Sequence, residues 1–145
     1  MQISVRSETP SDHHVIYDIT ARAFAPMPFA AGDEQVLINN LRDAGALAIS
    51  LVAEVNGHVR GHVAFSPAQA ADGSTPWFAL GPIAVDPAFQ RRGIGKALIL
   101  NGIHALRDRG ALGCILVGDP KYYQRFGFVP EPELCPPPHP PEYFM

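Results

Sequence analysis

The nineteen residues 80–98 constrain this chain more than any other segment, because an apolar strand, a short turn, a glycine-bearing loop and a helix start follow one another without a gap. Gly93 and Gly95, one residue apart, let a loop curl so that successive backbone N–H groups point inward. The helix that follows adds its positive dipole end at the same spot. Such a corner suits a phosphate, and a diphosphate is its natural guest. The same glycines would also serve an exposed turn, so the residues around them decide. Two common phosphate loops are excluded by spacing. A dinucleotide fingerprint needs a third Gly or Ala where Leu98 stands, and no acidic residue sits about twenty positions on at a strand end. A mononucleotide loop needs four residues between Gly and Gly-Lys-Ser/Thr, whereas only Ile94 separates Gly93 from Gly95 and Lys96 is followed by Ala97.

What does match is the arrangement Gln90, Gly93, Gly95 after the strand residues Ile83, Ala84 and Val85. It resembles the Gln/Arg-x-x-Gly-x-Gly/Ala pattern of the GNAT superfamily of acyl-CoA-dependent N-acyltransferases. Residues 49–67 and 118–128 are similar to the YhbS-like branch of that superfamily, so the resemblance runs in order along nearly the whole chain. It implies an α/β fold with a mixed, mostly antiparallel central sheet, a splayed strand pair and helices on both faces. It implies acetyl-CoA as cosubstrate, with the backbone of Ile83, Ala84 and Val85 on the pantetheine arm. Gln90, Arg91, Arg92, Gly93, Ile94, Gly95 and Lys96 then hold the pyrophosphate. It also implies a final strand completing the sheet, and this chain stops where that strand would begin. Residues 1–128 are accordingly expected to form the acyltransferase domain, with 129–145 a proline-rich segment of the same domain. An uncovered sheet edge invites pairing, so a homodimer is expected.

Composition bounds the class independently. The 145 residues make one domain, large enough for a single core. A formal net charge of −3 with only 11 Lys plus Arg argues against a nucleic-acid binder, which needs many clustered cations. The cations that exist gather where a polyphosphate would sit: Arg91, Arg92 and Lys96 in the loop, Lys121 and Arg125 farther on. Cys114 and Cys135 cannot build a disulfide framework and lack metal-ligand spacing, which points to a reducing compartment and no metal. No segment approaches about eighteen uninterrupted apolar residues, and the N-terminus lacks a signal peptide's apolar run. The expectation is cytoplasmic residence with no membrane contact.

Strands and helices alternate. Residues 3–6 form a short strand, and Ser11 with Asp12 caps a helix to about Ala25. A second helix spans residues 33–44. Residues 48–55 and 58–66 are strands joined by Asn56-Gly57, the strongest short hairpin signal. Residues 77–85 make a third long strand, with Gly81-Pro82 marking a bulge or break in pairing. Backbone groups freed by such a break suit an extended amide-bearing arm. A helix over 93–109 buries Ile94, Ala97, Leu98, Ile99, Ile103 and Leu106, and residues 113–117 read as a buried parallel strand. Asp119-Pro120 starts a short helix ending at Gly127. Residues 129–141 read as extended proline-rich coil.

Acyl transfer to an amine needs a polarised carbonyl, a neutral amine and a proton for the departing thiolate. Backbone N–H groups near Val85 serve the first. For the third the resemblance nominates Tyr123, four residues before Gly127, as general acid. No base is evident. Residues 77–85 hold no carboxylate, and Cys114 occupies about the place of a fifth-strand glutamate, where it reads as core rather than nucleophile. Glu34 reads as a first-turn helix charge, Glu54 as a solvated strand end and His62 as a satisfied strand histidine. The apolar loop 26–32 is expected to line the acceptor cleft. The function expected is direct acetyl transfer from acetyl-CoA to an amine acceptor, small molecule or protein. Alternatives are a CoA-binding module without catalysis and an interaction domain working through its proline tract.

Overall fold

The hairpin turn is built from two left-handed residues, Asn56 at φ 52° and Gly57 at φ 83°, the pair that matches the right-handed twist of flanking strands. In the computed structural model, which describes residues 1–28 and 30–145, this turn joins β2 (Ile49–Val55) to β3 (His58–Ala68). Around it the sheet runs in order β1 (Ile3–Ser7), β2, β3, β4 (Trp77–Val85) and β5 (Gly113–Ile115). All neighbours are antiparallel except β4 and β5, which are parallel.

Period-two alternation sends the strand side chains to two helical layers. Val52 packs with Ile16 of α1 (His13–Phe24) and Ile38 of α2 (Glu34–Asp43), while Ala84 packs with Ile19 and Ala23. On the other face Leu51, Ala53, Val63 and Phe65 meet Ile94, Leu98, Ile99 and Leu106 of α3 (Ile94–Asp108). The stripe of α3 differs from the expected one at three positions. Ile103 and Ala97 are only half-buried, and Gly102 is buried because any side chain there would collide with the Phe65 ring. The expected bulge is present: Val63 faces Ile83 but Phe65 faces Leu80, so Gly81 and Pro82 are inserted opposite Ala64.

The start of α1 corrects another expectation. Asp12 does not cap it by a side-chain hydrogen bond; its carboxylate instead accepts from the Thr9 amide and from Arg6, anchoring a 3-10 turn, Pro10–Asp12, to β1.

Three expectations about the C-terminal third change as well. β5 is shorter than residues 113–117 and half-buried; Leu116 is buried but Val117 is exposed. The proline-rich tract is not extended coil throughout: Pro132–Leu134 and Pro141–Tyr143 are 3-10 turns, which proline's fixed φ also suits. The last residues then return to the sheet. Leu116 and Met145 exchange both backbone hydrogen bonds at 2.9 Å, Gly118 donates to Tyr143, and Phe144 and Met145 are buried. Although no sixth strand forms among the described residues, the edge past Ile115 is covered by the chain itself. Burial of two large apolar side chains stabilises that arrangement by a few kcal/mol at most. The premise for edge-to-edge self-association is therefore absent at this position.

Candidate active site

Parallel pairing of β4 with β5 ends at Ala79 and Ile115. Beyond that point Leu80 to Val85 stay bonded to β3 on one side, through pairs such as Ile83 with Val63 and Ala84 with His62, and have no strand partner on the other among the described residues. The Cys114 thiol sits at this fork against the Leu80 backbone amide, and burial pushes it up to about 12. A thiol so far from ionising is a packing residue.

The open edge leads into a tightly held turn. Asp86 is buried; its carboxylate accepts from the Ala88 amide at 3.0 Å and its amide donates to the Arg60 carbonyl at 2.8 Å. Arg22 of α1 reaches the same carboxylate at 3.2 and 3.4 Å, and Arg60 of β3 at 3.4 Å. These arginines hold the carboxyl below its usual range against the opposing effect of burial. Two guanidinium groups lie over the Phe89 ring, Arg60 at 4.5 Å and Arg92 at 5.3 Å from its centre. Gln90 turns back and donates to the Val85 carbonyl at 3.2 Å, closing the loop on itself. Arg91 and Gly93 then take positive φ, 64° and 88°, and Gly93 caps α3. The first backbone bond of α3 runs from Ala97 to Gly93. The amides of Ile94, Gly95 and Lys96 therefore face outward as helix-start donors.

The expected site residues fall on this path with differences in role. Ile83, Ala84 and Val85 lie along β4; Arg91, Arg92 and Lys96 are exposed around the loop. The Ile94 side chain is in the core, leaving only its amide to the site. Gly95 needs no left-handed backbone, contrary to the usual reason for a glycine. Its position is tight instead: a Cβ would lie 2.9 Å from the Tyr122 hydroxyl. Tyr122 and Tyr123 belong to α4 (Pro120–Tyr123), whose Asp119 cap accepts from the Lys121 amide at 3.0 Å and whose run continues as a 3-10 turn to Gly127. Tyr123 packs edge-on to Tyr122 at 5.0 Å and to Phe128 at 6.0 Å, beneath Gly118. Burial pushes its phenol up to about 12.

The weighed bases lie elsewhere. Glu34 accepts from the amides of Ala31 and Gly32, and Glu54 is not a free strand end but pairs with Arg6 at 3.0 Å. His62 is fully buried; Nε2 is 2.7 Å from Ser50 Oγ, yet Nδ1 has no partner among the described residues, so the ring is only half satisfied. Loop 26–32 includes Phe29, which lies outside the described residues. Among the described residues no group of three or more His, Cys, Asp or Glu is placed to hold a metal. Asp86, Arg22 and Arg60 carry a role that residue spacing did not expose. The one local signal was Asp86 before Pro87, a common turn start.

Residues 13–128 match the acetyltransferase (GNAT) family. The chain belongs to it. This GNAT domain is 34% identical over 125 residues to the Escherichia coli K12 protein described as uncharacterized N-acetyltransferase YhbS, covering 86% of this chain and 72% of that one. The crystal structure of E. coli YhbS in complex with CoA superposes with a TM-score of 0.89 at 30% identity, covering 99% of this chain and 79% of the other. A GNAT family acetyltransferase from Brucella melitensis in complex with acetyl-CoA gives 0.85 at 44% identity, covering 88% and 83%. The mixed, mostly antiparallel sheet with helices on both faces is thus the GNAT fold, and the chain is an acyltransferase by family.

Proposed function

We propose that this chain transfers the acetyl group of acetyl-CoA directly to an amine. The observation that carries the reading is the unpaired edge of β4 from Leu80 to Val85 running into the left-handed cap and free amides of α3. That path offers amide partners for a pantetheine arm followed by an anion site, and relatives bind CoA or acetyl-CoA. The backbone of Ile83, Ala84 and Val85 aligns the arm. The amides of Gly93, Ile94, Gly95 and Lys96 hold the diphosphate with Arg91 and Arg92 beside them, and Gln90 fixes the loop's shape.

In the reaction the amine nitrogen attacks the thioester carbon and forms the C–N bond. An amide N–H near Val85 stabilises the oxygen as it gains charge. The C–S bond then breaks with its electron pair on sulfur, and Tyr123 donates the phenolic proton to it. With its phenol held at about 12, Tyr123 is fully protonated at neutral pH, as a donor must be. No carboxylate lies on β4, so the amine gives its proton to water. Loop 26–32, after the end of α1, lines the acceptor side, and its lack of charge suits an acceptor without a polycationic character. Residence in the cytoplasm, where acetyl-CoA is made and Cys114 and Cys135 stay reduced, fits this chemistry. Any homodimer would use a surface other than residues 116–118, which pair with the last residues of the same chain.

The test is thiol release from acetyl-CoA against a panel of primary amines, arylamines and amino acids. Acceptor-dependent release by the purified chain is expected. Tight acetyl-CoA binding with no release for any acceptor would leave a CoA-binding module instead.

A further inference from the structure

We infer that Tyr122 is a further cofactor-binding residue, its hydroxyl closing the diphosphate site from the α4 side by donating a hydrogen bond to a phosphate oxygen. This rests on the acetyl-CoA reading above. The Tyr122 hydroxyl is 2.9 Å from where a Gly95 Cβ would be, which sets it against the first turn of α3, whose amides have no acceptor within the helix. Val85 Cγ2 is 4.0 Å from the same point. The hydroxyl thus stands where the β4 edge, the arm's track, meets the helix start.

The ring is fixed in that pose. Tyr123 and Phe126 meet it edge-on at 5.0 and 5.4 Å, and the Arg125 guanidinium covers it at 4.5 Å. Half-burial raises its phenol, with the Arg125 charge opposing, and no hydrogen-bonding group among the described residues engages it. The phenol stays protonated at neutral pH, and phosphate oxygens only accept. Arg125, stacked on the same ring, brings a cation to the side of α4 that carries the hydroxyl. Tyr123, by contrast, is packed between Gly118 and Phe128. The two adjacent tyrosines divide the work: Tyr122 binds and Tyr123 protonates.

The experiment compares wild type with Tyr122→Phe, which keeps the ring and its stacking. Calorimetric affinity for acetyl-CoA should fall about 10- to 100-fold, the worth of a hydrogen bond to a charged group. Phosphorus NMR of the bound ligand should show the diphosphate resonances displaced by the substitution while the 3′-phosphate resonance stays in place. Thermal melting should be near wild type. Unchanged affinity, or lost affinity with unmoved diphosphate resonances, overturns the assignment to Tyr122 and leaves the acetyl-CoA reading standing. A wild-type chain that binds no acetyl-CoA overturns both.

Discussion

His62 should make this protein lose stability in mild acid, and the size of the loss follows from its surroundings. Ser50 Oγ donates to Glu8 and so accepts from His62 Nε2, which fixes the neutral ring as the Nε2–H tautomer. A second proton would have to go on Nδ1, buried and without a partner among the described residues. Burial accordingly depresses the ring from 6.5 to about 4, with Glu8 opposing and Arg42 reinforcing the shift. The unfolded chain takes up this proton near pH 6.5 and the folded chain only near 4, so the unfolded state gains protons first as pH falls. Stability is complete above the unfolded value and is lost as pH drops through that window. At about 1.4 kcal/mol per pH unit, the loss between pH 7 and pH 5 comes to roughly 2 kcal/mol. Urea unfolding followed by circular dichroism at the two pH values measures it. His62→Gln retains a donor toward Ser50 and removes the titration, so its stability should change far less over the same interval. A wild type flat between pH 7 and 5, or a glutamine variant as steep as wild type, would refute the reasoning.

Gly95→Val should abolish acetyl-CoA binding in calorimetry while the chain stays folded, because the new side chain displaces the Tyr122 hydroxyl and fills the approach to the α3 amides; wild-type affinity would remove the loop from the site. Tyr123→Phe should lower kcat about 10²- to 10⁴-fold with acetyl-CoA affinity nearly intact. Its failure to do so in steady-state kinetics with a good acceptor would take the proton-donor role off Tyr123. Asp86→Ala removes an acceptor shared by Ala88, Arg22 and Arg60; with both arginines partly solvated, the cost is about 2–3 kcal/mol, a fall of roughly 5–10 °C in melting midpoint. The same variant should bind acetyl-CoA less tightly, as the turn that launches the loop loosens.

Local rules made much of this fold legible. Asn56-Gly57 fixed the hairpin, Gly81-Pro82 the bulge and Gly93 the start of α3, since each is a backbone requirement that few residues meet. Long-range partners were not legible. Nothing near Asp86 says that Arg22, sixty-four residues away, will share its carboxylate, or that Glu54 will meet Arg6. Nor does a proline-rich segment announce that its last two residues will be buried against Leu116, because that depends on a free strand edge waiting for them. Gly95 was legible as a site residue but for the wrong cause: the crowding atom belongs to Tyr122, twenty-seven positions on.

The Asp86 carboxylate has a consequence for how this scaffold can be altered. Arg22 sits two residues before the end of α1, and loop 26–32 hangs from that end. The same carboxylate sets the turn on which the glycine loop is mounted. On the proposed reading, in which loop 26–32 lines the acceptor side and the glycine loop holds the cofactor, acceptor selectivity and cofactor affinity are geared together, and a library of replaced loops should show hits clustered among variants in which α1 keeps its tilt. Swaps that pull Arg22 away would be selected against for weak cofactor binding before their acceptor preference was ever tested.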